Sequence, residues 1–365
     1  MTLTALLFTT LLEPLTLASG VTLDAATVLD ATVPLVGFFE ALVDFLSPET
    51  LASVVVAGLA KAALYIMLAA GLTLIFGLMG VLNFAHGSLT MIGAYLGGLV
   101  MVLLVGSATG TLGRLLLFFV AIVVVFGLLT ALGGVLEVGL IRRLYDRPPI
   151  YQILLTFGVT LTLDELARIV VAFYGLQPIS DWQAALATKP TILTRSLPLG
   201  PIDASGLAAF QILAGVVTVA GIYGFLTQTR YGLYIRAGSE DTEMAQALGI
   251  DVRRTFTVVF ALGAGIAGIA GVFLMWDPRW GASVPLAAET LLPAFVVVIV
   301  GGLGTFRGTV VAGLLVGLVD ASMTWWFQNA VNFTGLPQMT IFLILVLMLI
   351  VKPQGIFGVE EVGGH

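Results

Sequence analysis

The side chains in this sequence that are capable of chemistry stand mostly inside apolar runs. Two glycine-bounded stretches interrupt such runs. Gly80-Val-Leu-Asn-Phe-Ala-His-Gly87 sets Asn83 and His86 between hydrophobic flanks, and Gly301-Gly-Leu-Gly-Thr-Phe-Arg-Gly308 does the same with Arg307. An amide, an imidazole and a guanidinium in a medium without competing water are suited to binding a small polar group or lining its path. Asn83, His86, Gly87, Gly304 and Arg307 are therefore the candidate pathway residues. For His86, a structural hydrogen bond beside a helix break is the alternative reading.

Lys61, Asp164, Glu165, Arg168 and Asp320 are further ionisable residues in apolar surroundings. A lysine at mid-membrane costs about 2.5–3.5 kcal/mol on insertion scales, so Lys61 is expected to face the bundle interior or to snorkel to the outer interface. Asp164, Glu165 and Arg168 are three and four positions apart, which allows ion pairing on one helical face; structural neutralisation is the expected role. Asp320, near the outer end of its run, is left without a role.

Other chemistries lack their constellations. His86 is the one histidine besides His365, cysteine is absent, and neither a metal-ligand set nor a Ser-His pairing stands out, so neither metal nor enzyme activity is expected. Gly263-Ala-Gly265-Ile-Ala-Gly268 satisfies the dinucleotide pattern in its letters, but it lies in an apolar run just after a charged loop, without the preceding strand. Small-residue helix packing is the reading for it. A phosphate-binding loop needs Gly-Lys followed by Ser or Thr, whereas the three lysines are followed by Ala62, Pro190 and Pro353. The chain is expected to bind no cofactor, and any ATP-driven process must draw on a partner.

These residues are carried by a chain whose composition dictates its solvent. Hydrophobic residues make up 59% of 365 positions and charged residues 10%, too few charges to cover a soluble surface. The 43 glycines fit the same class, since transmembrane helices use glycine for close packing. A net charge of -6 argues against a nucleic-acid partner. The first basic residue is Lys61, so a secretory signal of the usual kind is not expected.

A span needs about 20 mostly apolar residues. Runs of this kind cover 51–80, 88–106, 114–138, 150–174, 206–228, 255–276, 290–301 continuing into 309–327, and 338–351. A further candidate, 3–19, is weakened by Glu13 and Pro14. The segment 28–46 groups Leu35, Phe38, Leu42, Phe45 and Leu46 on one helical face, as in an amphipathic helix at the membrane surface. Both breaks precede helices rich in small residues, Gly93/Gly97/Gly98 and Gly313/Gly317. The expected fold is all-α: a polytopic transmembrane helix bundle of about eight to nine spans, with discontinuous helices and two weakly related halves.

Loops 139–149 (Arg142, Arg143, Arg147) and 229–254 (Arg230, Arg236, Arg253, Arg254) are separated by two crossings and share one side, which the positive-inside rule makes cytoplasmic. Lys352, and with it the C-terminus, then falls inside. Segment 175–205, with Pro190, Pro198 and Pro201, is expected outside as an irregular loop. Within 229–254 a short helix is expected from Ser239 through Ala247, with Asp241 and Glu243 in its first turn and Gly249 as its stop. Met244, Ala245 and Leu248 would form a small apolar face, suited to a lever that a partner pushes; an ordinary connecting loop is the alternative.

The run GLTLIFGLMGVLNFAHGSLTMIGAY (71–95) closely resembles the start of the branched-chain amino-acid ABC permeases, the Liv-type inner-membrane subunits. RPPIYQILLTFGVTLTLDELAR (147–168), EDTEMAQALGID (240–251), GGLGTFRGTVVAGLLVGLVD (301–320) and VKPQGIFG (351–358) match in the same order. The resemblance covers about 51–358, leaving 1–50 as an N-terminal extension and 359–365 as a tail. It implies a cell-membrane importer in which an extracytoplasmic solute-binding protein delivers substrate and a second, related permease subunit completes the path. Two ATP-binding cassette subunits would hold the ATP. By the same analogy 240–251 is a coupling helix, with Glu240, Asp241, Glu243, Met244, Ala245, Leu248 and Gly249 meeting the ATPase. Lys61 departs from the pattern, since the family usually has an apolar residue there. The alternatives are an ABC permease for urea or short amides, and an ion-coupled secondary transporter or channel that would use Asp164, Glu165 and Lys61.

Overall fold

The computed structural model describes residues 37–105, 109–175, 191–199, 202–276, 281–330 and 337–358. The candidate span 3–19 and the tail 359–365 lie outside the described residues, as does most of loop 175–205. The described chain is a helical bundle, and six of its helices are long and apolar enough to cross a membrane.

Helix α1 (Pro48–Met79) is the axis of the bundle. Ser47 caps it by accepting from Thr50 N, Pro48 presets the first turn, and Gly80 closes it in the left-handed region at φ 63°. Its 32 residues span about 48 Å, more than the hydrocarbon core of about 30 Å. It is apolar on all sides because it is surrounded: α6 (Gly206–Gln228), α9 (Val252–Leu274), α10 (Leu286–Gly301) and α11 (Phe306–Asn329) all pack on it.

Small residues set how closely these helices approach. α1 crosses α9 where Gly71 meets Gly263, and a Cβ on Gly71 would lie 2.5 Å from the Gly263 carbonyl oxygen. α2 (His86–Leu104) runs along α9 through Gly93 against Gly268 and Gly97 against Val272. Gly263, Gly265 and Gly268 each face a neighbouring helix, so the glycine pattern of this segment serves packing, as expected. Lipid tails are as apolar as leucine, and association therefore relies on such contacts and on interhelical hydrogen bonds.

Two helices begin inside the bundle rather than at its surface. After α1 ends at the face that carries the arginine-rich loops, here the basic end, residues 80–85 turn back and α2 starts with His86 beside Leu68. α10 starts beside it: a Cβ on Gly87 would lie 2.0 Å from the Ala287 carbonyl oxygen. From this shared level α2 runs to the opposite end and α10 to the basic end. The second stretch singled out in the sequence, Gly301–Gly308, is instead a tight turn at the basic end joining α10 to α11, where Gly301 and Gly308 pack backbone to backbone. The helix whose start packs beside that of α2 is α10, which follows the non-helical residues 281–285. The run 290–327 accordingly forms two separate helices.

α3 (Thr111–Gly139), α4 (Pro149–Phe173) and α12 (Pro337–Val351) lie at the periphery. A 3-10 helix, Ile141–Leu144, joins α3 to α4. The expected irregular outer loop ends differently from expectation. After a single turn, α5 (Thr191–Thr194), strands β1 (Ser196–Leu199) and β2 (Ile202–Ser205) pair antiparallel as a hairpin that leads into α6. Pro198 is accommodated because a two-stranded hairpin has free edges. Of the segment expected as an amphipathic helix, 28–36 with Leu35 lie outside the described residues; 37–45 are helical, and their apolar face partly covers protein, with Phe38 edge-on to Trp326 and Phe45 tilted against Trp325 and Trp326 of α11.

Candidate translocation and coupling sites

At the start of α2, Asn83 Oδ1 accepts from Ala85 N at 3.1 Å, a local turn that ends the extended segment and opens the helix. His86 Nε2 bonds the Leu68 carbonyl oxygen at 2.8 Å. Because a carbonyl only accepts, Nε2 carries the proton and Nδ1 of the neutral ring is an acceptor. Both side chains are fully buried, and His86 Nδ1 and Asn83 Nδ2 are left without partners. An acceptor and a donor thus sit together at the level where two helix N-termini meet, each bringing a partial positive charge. From α4, Thr156 Oγ1 steadies the segment by donating to Leu82 O and accepting from Phe84 N, both at 3.3 Å.

The five candidate pathway residues fall into two groups. Asn83, His86 and Gly87 lie at this buried level. Gly304 packs on Gly77 and Arg307 is exposed, both at the basic end beside a cavity of about 430 Å³ that Thr73, Arg236 and Thr305 also line. Nine residues of α1 separate Leu68 from Gly77, about 13 Å.

Lys61 neither snorkels nor stands alone. Its Nζ lies 2.9 Å from Asp320 Oδ2 and donates to Thr324 Oγ1 at 2.8 Å, while Tyr65 donates to the same carboxylate at 3.0 Å. This gives Asp320 a role and ties α1 to α11. The cluster on α4 divides, contrary to the single ion-paired face expected of it. Asp164 turns inward and accepts from Ser88 Oγ at 2.6 Å, whereas Glu165 and Arg168 pair at 3.5 Å on the outside, 63% and 66% exposed. At four residues from Arg168, Asp164 points to a different neighbour because α2 offers it a hydroxyl.

Two acidic residues were not singled out by sequence. Glu137, fully buried at the end of α3, is held by Arg142 at 2.9 Å and by the Tyr145 hydroxyl, and Arg142 reaches on to Thr257 of α9 at 2.6 Å. Burial, and then the bond to Glu137, push the Tyr145 hydroxyl above its ordinary range. A carboxylate five positions before an arginine was the available signal. Glu289 is exposed on the first turn of α10. It fell just outside the apolar run counted from 290.

The basic end also carries the short helix expected in 229–254, with changed bounds. Thr229 caps α7 (Arg230–Glu240), so Ser239 lies inside that helix and donates to Arg236 O. The cap of the next helix, α8 (Thr242–Ala247), is Asp241, which accepts from Met244 N at 2.9 Å. Asp outranks Ser here because it directly precedes the turn and adds a negative charge at the N-terminus. Gly249 stops α8 at φ 84°, as expected. The expected apolar face splits: Ala245 is 2% exposed and anchors the helix, whereas Met244 and Leu248 are 57% and 75% exposed and point away. Glu240, Asp241, Glu243 and Gly249 are exposed around them.

The family model described as branched-chain amino acid transport system / permease component matches residues 54–352. The chain belongs to this permease family. It is similar to the high-affinity branched-chain amino acid transport system permease protein BraD of Pseudomonas aeruginosa, 29% identical over 84% of this chain and 95% of the relative. Similarity to LivH of Escherichia coli K12 is 26% over 84% and 94%, and to the probable LivH of Methanocaldococcus jannaschii 28% over 81% and 89%. No solved structure gives a significant match. As a member of this family with six candidate spans, the chain is an integral, multi-pass membrane protein. The family match takes in α2, the 301–308 turn and α8, and it begins after the helix at 37–45.

Proposed function

We propose that the chain is the membrane-spanning permease subunit of an ABC importer for branched-chain amino acids. Two ATP-binding cassette subunits, a second, related permease and an extracytoplasmic binding protein would be its partners. The names of its relatives support the substrate class. The observation that carries the coupling half of this reading is α8, a capped helix at the basic end that turns Met244 and Leu248 outward. With the arginine-rich loops on the cytoplasmic side, and the C-terminus there too, those two side chains are the knobs that enter a groove of the ATPase.

The path of motion follows from chain continuity. α9 begins a few residues after α8 and crosses α1 at Gly263 and Gly71, one turn from the Leu68 carbonyl that holds His86. A push on α8 therefore moves α9 against the break. There, the apolar surroundings suit a Leu, Ile or Val side chain, while the N-termini of α2 and α10 favour its carboxylate. Asn83 and His86 supply the remaining hydrogen bonds. In this reading the chain itself holds no ATP.

Replacing both Met244 and Leu248 with Glu tests the docking half. The ATPase is expected to co-purify with the unchanged chain and to be lost from the variant, with the permease still present in the membrane. Undiminished co-purification would refute the assignment of α8.

A further inference from the structure

We infer that α4, together with the exposed face of α10, is the surface on which the second permease chain packs. This rests on the proposal that the chain is one permease subunit of a transporter, and it adds where that partner sits. The depth of three charges carries it. Asp164 bonds Ser88, in the first turn of α2, and α2 starts beside Leu68, in the middle third of the 32-residue α1. Arg168 lies one turn further toward the opposite end, so the exposed Glu165–Arg168 pair stands near the centre of the membrane. Glu289 shares that depth, two residues from the Ala287 carbonyl that packs on Gly87. Phe84 bridges the two helices, with its ring 6.4 Å from Phe157 of α4 and 5.4 Å from Phe295 of α10.

Charged side chains at this depth are expensive and face protein or water rather than lipid. Away from the two ends of the bundle, the exposed ionisable residues among the described ones are Glu165, Arg168 and Glu289; the outer faces of α3, α6 and α12 are apolar. Depth excludes a soluble ATPase or binding protein as the cover, and charge excludes acyl chains. A second polytopic chain fits both. Gly158 has open space around it and, with Thr162, lies on the same exposed side of α4, which allows close helix approach. The acid-and-base pair is also self-complementary about a two-fold axis along the membrane normal, where Glu165 of each chain can reach Arg168 of the other.

The test places a benzophenone amino acid at Leu161 of α4, and for comparison at Val123 of α3 and Leu213 of α6, in membranes containing the whole transporter. Illumination is expected to join position 161 to a permease chain, identical or homologous, while positions 123 and 213 capture lipid. Capture of lipid alone or of another subunit at 161, or of a permease at the comparison positions, would overturn the inference. As a second arm, Arg168→Glu is expected to lower the co-purified second permease roughly three- to tenfold at an unchanged level of this chain in the membrane. No change would count against it. If ATP-driven uptake persists while both arms fail, this inference is wrong and the permease reading stands.

Discussion

Lys61 and Asp320 illustrate what a residue type reveals and what it withholds. A lysine in an apolar run announces a partner or an escape route, but its partner stands on α11, at a distance along the chain that no local spacing rule spans. Their pair is mostly buried, so removing one charge leaves the other uncompensated. Lys61→Met is expected to destabilise the chain by about 3–5 kcal/mol, and the double variant with Asp320→Asn to recover most of it. Thermal unfolding in detergent, followed for both variants, checks this; equal midpoints for the single and double variants would contradict it. Asn83 and His86 were legible because polar side chains between apolar runs have few structural excuses. That they remain partly unpaired became visible only with α10 in place.

Element boundaries followed from sequence wherever the membrane imposes them. Backbone groups in hydrocarbon must bond within their own segment, so each long apolar run became a helix close to its expected limits. The interruptions were harder, because glycine marks both a broken helix and a close contact. Gly301–Gly308 proved to be a packed turn, while the break preceding α10 carries no comparable signature. At Gly87 a side chain would strike the α10 backbone, so Gly87→Leu is expected to force the two helix starts apart and sharply reduce the folded protein recovered from membranes. Recovery equal to that of the unchanged chain would contradict the close approach. In the loop at the basic end, the cap moved from Ser239 to Asp241 because α7 continued further than its glycines suggested. Gly249→Val opposes the left-handed backbone at the stop of α8, costing about 1–2 kcal/mol, and should weaken ATPase co-purification without removing the permease from the membrane. A variant that retains full co-purification would show that α8 does not depend on this stop.

In the whole molecule, α9 connects the buried meeting point of two helix N-termini, those of α2 and α10, with the short exposed helix α8 at the basic end. Composition announced the membrane, and the absence of a phosphate loop pointed to an outside energy source. The hairpin before α6 and the outward faces of α4 and α10 needed three dimensions, since each depends on which neighbours a side chain meets. In the proposed function, transport through this chain is driven by ATP on partner subunits rather than by an ion gradient. The decisive measurement is uptake of labelled leucine into vesicles reconstituted with the chain, a second permease, the ATPases and the binding protein. Uptake is expected to require ATP on the side of the arginine-rich loops and to be abolished by replacing Met244 and Leu248 with Glu. Uptake by vesicles lacking the ATPases, driven by a proton or sodium gradient, would contradict it.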